Sequence, residues 1–449
     1  MHSHPKLHPT LLHAIKRLEQ INPDQFEIYF QRTQTLRVDS RDQMIDSLSH
    51  AEDAGISIRL LKDQKMGFSF TTSLEPQSVL KAIDQAYEIA NFMPEDPYNR
   101  LHCFENFVYP HVDHFDTQEI KLPVEHKIEL AKTLERLCRK TDPRIRAVRS
   151  ASVSETQSLI QIIDSSGEHI EYESTGYTAS VSCKAESQGD QQMGSEFAFS
   201  PYLDSLPIEA IAHYAAHSAL ELLGAQSAPT LKCPAILRNS VVTELLEFLS
   251  SSFSAEEVDK KRSMLGGKKG EPLFSDQISI IHDGLLPGGM GTAPFDAEGT
   301  PMSKTVLVDQ GFIHEFLYDP YYAQKLNAVA TGCSVRGIKS PPSIGFANLY
   351  IPAGKKTFES LTGGISKGIL ITDLMGVHTA NPVTGDFSLG ASGILIENGR
   401  LGRPVRGFAV AGNVLELFRR VTDVGSDLKF YGKVGAPSLR LSELSVGGI

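Results

Sequence analysis

The chain has 449 residues, of which 41% are hydrophobic and 22% charged, and it carries a net charge of -11. The length exceeds what one core usually supports and the composition is globular, so two domains are expected and a disordered or fibrous chain is excluded. The acidic balance disfavours an extended nucleic-acid surface, which needs clustered Lys and Arg to displace counterions.

In chain order, the N-terminus (MHSHPKLHPTLLHAIKR) has no apolar signal core, and apolar runs such as Gly368 to Thr372 are too short to cross a bilayer, so the cytoplasm is the expected location. Leu11, Leu12, Ile15 and Leu18 then repeat at helical spacing, followed by alternating strands through Phe26, Ile28 and Phe30 and through Ile56, Ile58 and Leu60. A second helix, with Val79, Leu80, Ile83, Ala86, Tyr87 and Ala90 on one stripe, starts just after Pro76, where a missing N–H does no harm.

The same order recurs. Leu130, Ala131, Leu134, Leu137 and Cys138 predict a helix, strands follow around Ile145 to Ile163, and Asp164 to Gly167 predicts a hairpin turn. Ala179, Val181, Cys183 and Ala185 alternate with polar residues, and a helix through Ile208, Ile211, Ala212, Ala215, Ala219, Leu222 and Leu223 closes the unit. A Met-Gly pair, Met66-Gly67 and Met193-Gly194, stands before each Pro-started helix as shared punctuation of an internal repeat.

Gly224 to Pro229 predicts a helix stop and linker, dividing the chain into an N-terminal α+β domain (1–224) and a C-terminal β-rich domain (230–449). Downstream, short strands separated by Gly-rich turns predict a mainly antiparallel barrel or sandwich. One helix stands out there: Val242, Leu245, Leu246 and Leu249 follow the strand-like Cys233 to Leu237.

Several polar groups offer site chemistry. His213 and His217 are four apart on a helix, as in HExxH zinc enzymes, but Tyr214 stands where the general base would be, so a solvated helix face is expected. His314-Glu315 leads to Pro320 and reads as a hairpin edge. His2, His4, His8 and His13 belong to a terminus expected to fray, and His111, Asp113, His114 and Asp116 to a solvated loop between the two units. Gly284 to Thr292 lacks the Lys-Ser/Thr ending of a P-loop and reads as a cluster of turns. The five cysteines, Cys103, Cys138, Cys183, Cys233 and Cys333, form no CxxC pair and are expected to be free thiols; Cys333 is the one whose loop suits a nucleophile.

Three stretches then carry a specific resemblance: Ala293 to Pro301 (APFDAEGTP), Asp373 to Ser388 (DLMGVHTANPVTGDFS) and Gly390 to Gly399 (GASGILIENG), extended by Ala411 to Asn413 and Leu444 to Gly448. They resemble, in the same order, the TldE (PmbA) branch of the TldD/PmbA metalloprotease family. In that family the TldD branch binds zinc through HExxxH on the helix after the first strand of the C-terminal domain, plus a C-terminal Cys. The resemblance places Glu247, Phe248 and Ser252 at the HExxxH positions; no HExxxH occurs anywhere in the chain, and Tyr431 to Ser438 has no Cys. It therefore implies a subunit without catalytic residues or metal of its own, with zinc held by a TldD-like partner.

The partner chemistry implied is a heterodimer cutting unfolded or short peptides, among them microcin precursors and a toxin-antitoxin antidote, under the older name modulator of DNA gyrase. A homodimeric peptide-binding protein is one alternative, and an autonomous hydrolase built around His378, Asp386 or Cys333 is another. The loop His378 to Asp386 lies between two apolar strands, so His378, Asn381 and Asp386 are candidates for a peptide groove or subunit contact, against simple stabilisation of a turn.

Overall fold

The computed structural model describes residues 9–104 and 107–448. The first half is one six-stranded antiparallel sheet built from two α-β-β-β-α units. The first unit contains α1 (Pro9–Ile21), β1 (Gln25–Arg41), β2 (Met44–Lys62), β3 (Lys65–Thr71) and α2 (Pro76–Phe92). The second contains α3 (Val124–Lys140), β4 (Ile145–Asp164), β5 (His169–Ser187), β6 (Asp190–Ser200) and α4 (Ile208–Glu221).

The strand order β3-β2-β1-β4-β5-β6 reads as a palindrome, because β1 and β4 pair antiparallel from Glu27 opposite Asp164 to Ser40 opposite Ala151. Each unit buries its own apolar stripe: Leu11, Leu18, Val79, Ile83 and Ala86 pack on Ile28, Ile56 and Ile58, while Ala131, Leu134, Ala215 and Ala219 pack on Val181 and Cys183. The Met-Gly pairs are not punctuation. Both lie inside edge strands, Gly67 opposite Leu60 and Gly194 opposite Cys183. A Cβ on Gly67 would stand 1.9 Å from the carbonyl oxygen of Ala86, and one on Gly194 would stand 2.2 Å from that of Ala215. Each glycine is what lets its helix lie against the sheet.

The C-terminal half is built on a closed barrel. Strands Leu231–Leu237, Lys367–Met375, Asp386–Glu397, Arg400–Asn413 and Leu439–Gly447 pair in turn, and the last pairs with both the first and the fourth. A second sheet of six short strands, among them Ile280–Asp283, Lys429–Tyr431 and Val434–Ala436, shares its core with the barrel and with α5 (Asn239–Ser250). Val241, Val242, Leu245, Leu246 and Leu249 are the buried stripe of α5.

The sheet face away from α1 to α4 meets this C-terminal half. Around the β1–β4 seam side chains close the contact: Tyr29, Phe104, Ile162 and Phe295 form one buried cluster. Beside it, Arg59 donates to Glu27 (2.6 Å) and to Glu298 (2.6 Å), Arg336 donates to Glu27 (2.6 Å), and the Arg336 guanidinium lies 3.8 Å from the centre of the Tyr29 ring. Two carboxylates and two guanidiniums thus pair across the contact, the arrangement that makes burying charge tolerable. Among the described residues no helix is long and apolar enough to cross a membrane.

Candidate functional site

Over the second unit the contact opens into a cleft of about 1280 Å³. Its sheet wall comes from β5 and β6, where Thr178, Ser180 and Ser182 alternate with Tyr177, Ala179 and Val181, so hydroxyls face the cleft while the other face carries the core. Helix α4 adds Tyr214, His217, Ser218 and Glu221. Opposite them, α5 presents Ser240, Glu244 and Glu247 with the largely buried Thr243 between them, at i, i+3, i+4, i+7 spacing.

Charge is distributed unevenly along this cleft. Glu244 is exposed to the open cleft, and partial desolvation there, with Asp373 and Glu247 as like-charged neighbours, raises its carboxyl to about 7. Partial burial raises Asp373 as well. At the mouth, Arg238 clasps Glu221 in a two-pronged pair (2.5 and 2.9 Å), and Lys429 bonds Glu196 while its ammonium lies 4.8 Å from the centres of both the Tyr214 and the Tyr431 rings. Glu244 can therefore take up or release a proton near neutrality. Sequence reading passed over it; the signal was the polar i, i+3, i+4, i+7 stripe of α5.

The residues that the resemblance sets at the zinc-motif positions do not converge. Glu247 lines the cleft, Phe248 packs against the apolar core, and Ser252 lies beyond the end of α5 in the turn Ser251–Phe253, 2% exposed and with no partner for its hydroxyl. Zinc needs three or four N, S or O ligands at tetrahedral spacing, and this set does not fit it. Among the described residues no three His, Cys, Asp or Glu side chains are grouped to hold a metal ion.

His378, Asn381 and Asp386 lie together on an exposed turn that lines neither this cleft nor the smaller cavity beside it. Asn381 accepts from the Val383 and Thr384 amides, and Asp386 accepts from the Thr384 hydroxyl (2.7 Å) and the Asn413 side chain (2.9 Å), so two of the three stabilise their own turn.

The other polar groups sort as follows. His213 and His217 stack 6.2 Å apart on α4, and His217 is well exposed, as a solvated helix face requires. His314 directly follows the Phe312–Ile313 strand of a hairpin. His13 is exposed on α1, and His2, His4 and His8 lie outside the described residues. The loop reading of His111 to Asp116 needs correction: His114 and Asp116 are buried, because the Asp116 carboxylate accepts from the Gln118, Glu119 and Leu203 amides and ties the connector to the second unit. Cys333 is also no open nucleophile. It is 1% exposed, and burial holds its thiol well above the ordinary range, so the reactive thiolate is suppressed.

Comparison with known proteins follows this architecture. Models described as the PmbA/TldA metallopeptidase domain 1, central domain and C-terminal domain match residues 26–90, 118–223 and 230–448. The metalloprotease PmbA of Escherichia coli O157:H7 is 26% identical, over 95% of this chain and 92% of its own. A Thermotoga maritima protein described as a proposed modulator of a DNA gyrase superposes with a TM-score of 0.89 at 26% identity, covering 98% of this chain and 99% of its own. TldE from Thermococcus kodakarensis superposes at 0.90 with 24% identity, covering 98% and 100%.

Proposed function

Because the chain belongs to the PmbA/TldD metallopeptidase family, we propose that it is a non-catalytic, TldE-type subunit of a peptide-cutting zinc enzyme. One observation carries the reading: the face that α5 turns to the cleft offers Asn239, Ser240, Thr243, Glu244 and Glu247, with neither imidazole nor thiolate, on the helix where the resemblance puts the catalytic branch's imidazoles. Peptide hydrolysis at neutral pH needs an activated nucleophile, and without imidazole or thiolate ligands the usual metal route is closed to this chain alone. The chain's own contribution is a wall of hydroxyls and charges able to hold an extended peptide, while a TldD-like subunit supplies zinc and its activated water. A shared fold makes such a pseudo-two-fold pair natural, since related surfaces pair as identical ones do in a homodimer.

The experiment mixes the purified chain with a TldD-like subunit and follows cleavage of an unstructured peptide. Cleavage is expected only in the mixture, and elemental analysis of the chain alone is expected to find no stoichiometric zinc. Cleavage by the chain alone that survives chelator and repeated purification would establish the rival reading, an autonomous hydrolase. Glu244, with its carboxyl near 7, is the residue favouring that rival as a general base; buried Cys333 and the distant His378 turn do not supply its nucleophile.

A further inference from the structure

Beside the cleft, between the same sheet face and the C-terminal half, lies a cavity of about 350 Å³. The two are consecutive along one strand. Ser174, Gly176 and Thr178 of β5 line the cavity, Thr178, Ser180 and Ser182 line the cleft, and Thr178 belongs to both. The opposite wall is continuous too: Lys429 and Tyr431 border the cleft, and Lys433, in the turn of the same hairpin, borders the cavity. From Ser174 to Ser182 is roughly 26 Å at about 3.3 Å per residue, the length of an extended peptide of about eight residues.

The two ends of this groove differ in charge. At the cleft end stand Glu244, Glu247 and Asp373. At the cavity end stands Lys433, which borders the cavity from an exposed turn and has no carboxylate partner among the described residues. Two side chains of the same cavity carry buried nitrogens without a hydrogen-bond partner. The Arg336 side chain is 0% exposed and lines the cavity with Nε and Nη2 unpartnered; His114, 6% exposed, lines it with Nδ1 unpartnered. A buried donor without an acceptor costs about 1–3 kcal/mol, and an anion seated here would answer that cost at Arg336 while pairing with the exposed ammonium of Lys433. Asp296, the acid in the cavity wall, is occupied by the Ser334, Glu298 and Thr300 amides, while Glu27 and Glu298 are taken by Arg59 and Arg336.

The geometry points to a polar groove with a fixed direction, in which the cavity takes the free C-terminal carboxylate of a short extended peptide at Lys433, and the acidic cleft end turns that carboxylate away. This rests on the reading of the chain as a peptide-handling subunit and adds which end of the peptide is read and where. Tyr29, Tyr172, Phe199 and Phe346 around the cavity leave room beside the carboxylate for an apolar last side chain.

The test uses calorimetry on the full chain with an N-acetylated, unstructured octapeptide of Ser and Gly ending in Phe, made as the free acid and as the C-terminal amide. The acid is expected to bind about tenfold more tightly than the amide, with the preference shrinking below about twofold in Lys433→Gln and retained in Lys433→Arg. Thermal unfolding of both variants checks that they fold; Lys433 sits in a solvent-facing turn, so little change is expected. Equal affinity for acid and amide, binding of neither, or an undiminished preference in Lys433→Gln would overturn the inference. Partner-dependent cleavage that survives in Lys433→Gln with unchanged KM would leave the subunit reading standing while removing this one.

Discussion

Replacing Glu298 by Gln tests how the two halves of the chain are held together. Glu298 is 5% exposed; one carboxylate oxygen accepts from Arg59 Nη1 (2.6 Å) and the other from the Ser334 hydroxyl (2.6 Å). The amide has one oxygen, so its NH2 must face one of those donors, and Arg59 and Arg336 are left sharing Glu27 alone. Breaking one partner out of a buried ion pair costs about 3–5 kcal/mol; because Glu27 still holds Arg59 through two bonds, a loss of about 2–4 kcal/mol is expected. The assay is denaturant unfolding together with hydrogen exchange, and exchange should accelerate on both sides of the contact, in residues 25–62 and 296–336. Asp84→Asn, which breaks the half-exposed Arg17–Asp84 pair, is the control and should cost less than about 1 kcal/mol. A Glu298→Gln variant within about 0.5 kcal/mol of the unaltered chain would refute the idea that this cluster holds the halves together.

Gly67→Ala and Gly194→Ala should each destabilise by about 1–3 kcal/mol or more, since the new methyl meets helix backbone, whereas Gly412→Ala, whose nearest neighbour would be a Phe387 ring atom at 3.5 Å, should cost well under that by the same denaturation assay. Asp319 is raised to about 7 by burial, partly offset by the Tyr322 amide it caps. A carboxyl raised in the folded state binds more protons there than when unfolded, so stability should fall as pH rises from about 4 to about 7, by an amount of order 3 kcal/mol; Asp319→Asn should flatten that slope, and an identical slope in denaturation midpoints at pH 5 and 8 would count against it. Under native conditions iodoacetamide should label Cys103, which is exposed, and spare Cys333 and the other buried thiols; peptide mass mapping showing prompt Cys333 labelling would revive the thiol hydrolase.

The repeat was legible because apolar spacing is a local signal: the stripes through Leu11 to Leu18 and Val79 to Ala90 fall on α1 and α2, and that from Ile208 falls on α4 as far as Ala219, with Leu222 and Leu223 just past its end. The outer half of β2 was not, because residues 44–53 are exposed and carry no buried alternation, so nothing in their pattern marks a strand; only pairing with β1 does. Barrel closure depends on Leu439–Gly447 meeting Leu231–Leu237 some two hundred positions away, which no periodicity records. The cleft was hidden for the same reason, since its walls come from β5, β6, α4, α5 and the hairpin at Lys429. Asp116 was misread because its polar type suits a solvated loop, whereas three backbone amides supply the hydrogen bonds that its burial demands; His114 is buried beside it, stacked on Phe199.

The duplication explains why the groove lies over the second unit and not the first. Aligning Gly67 with Gly194 through their partners Leu60 and Cys183 makes Ser182 the equivalent of Arg59 in the repeat, and the sheet registers then make Ser150 the equivalent of Glu27. Glu27 pairs with Arg59 across β1 and β2; Ser150 pairs with Ser182 across β4 and β5. At corresponding positions, then, the first unit places a large ion pair that reaches the C-terminal half and seals against it, while the second places two short hydroxyls that line the cleft. Long charged side chains fill the gap between sheet and barrel in one copy, and serines leave it open and polar in the other. One copy of the unit therefore closes on the C-terminal half, and the other meets it around the cleft through ion pairs such as Lys429–Glu196 and Arg406–Asp190.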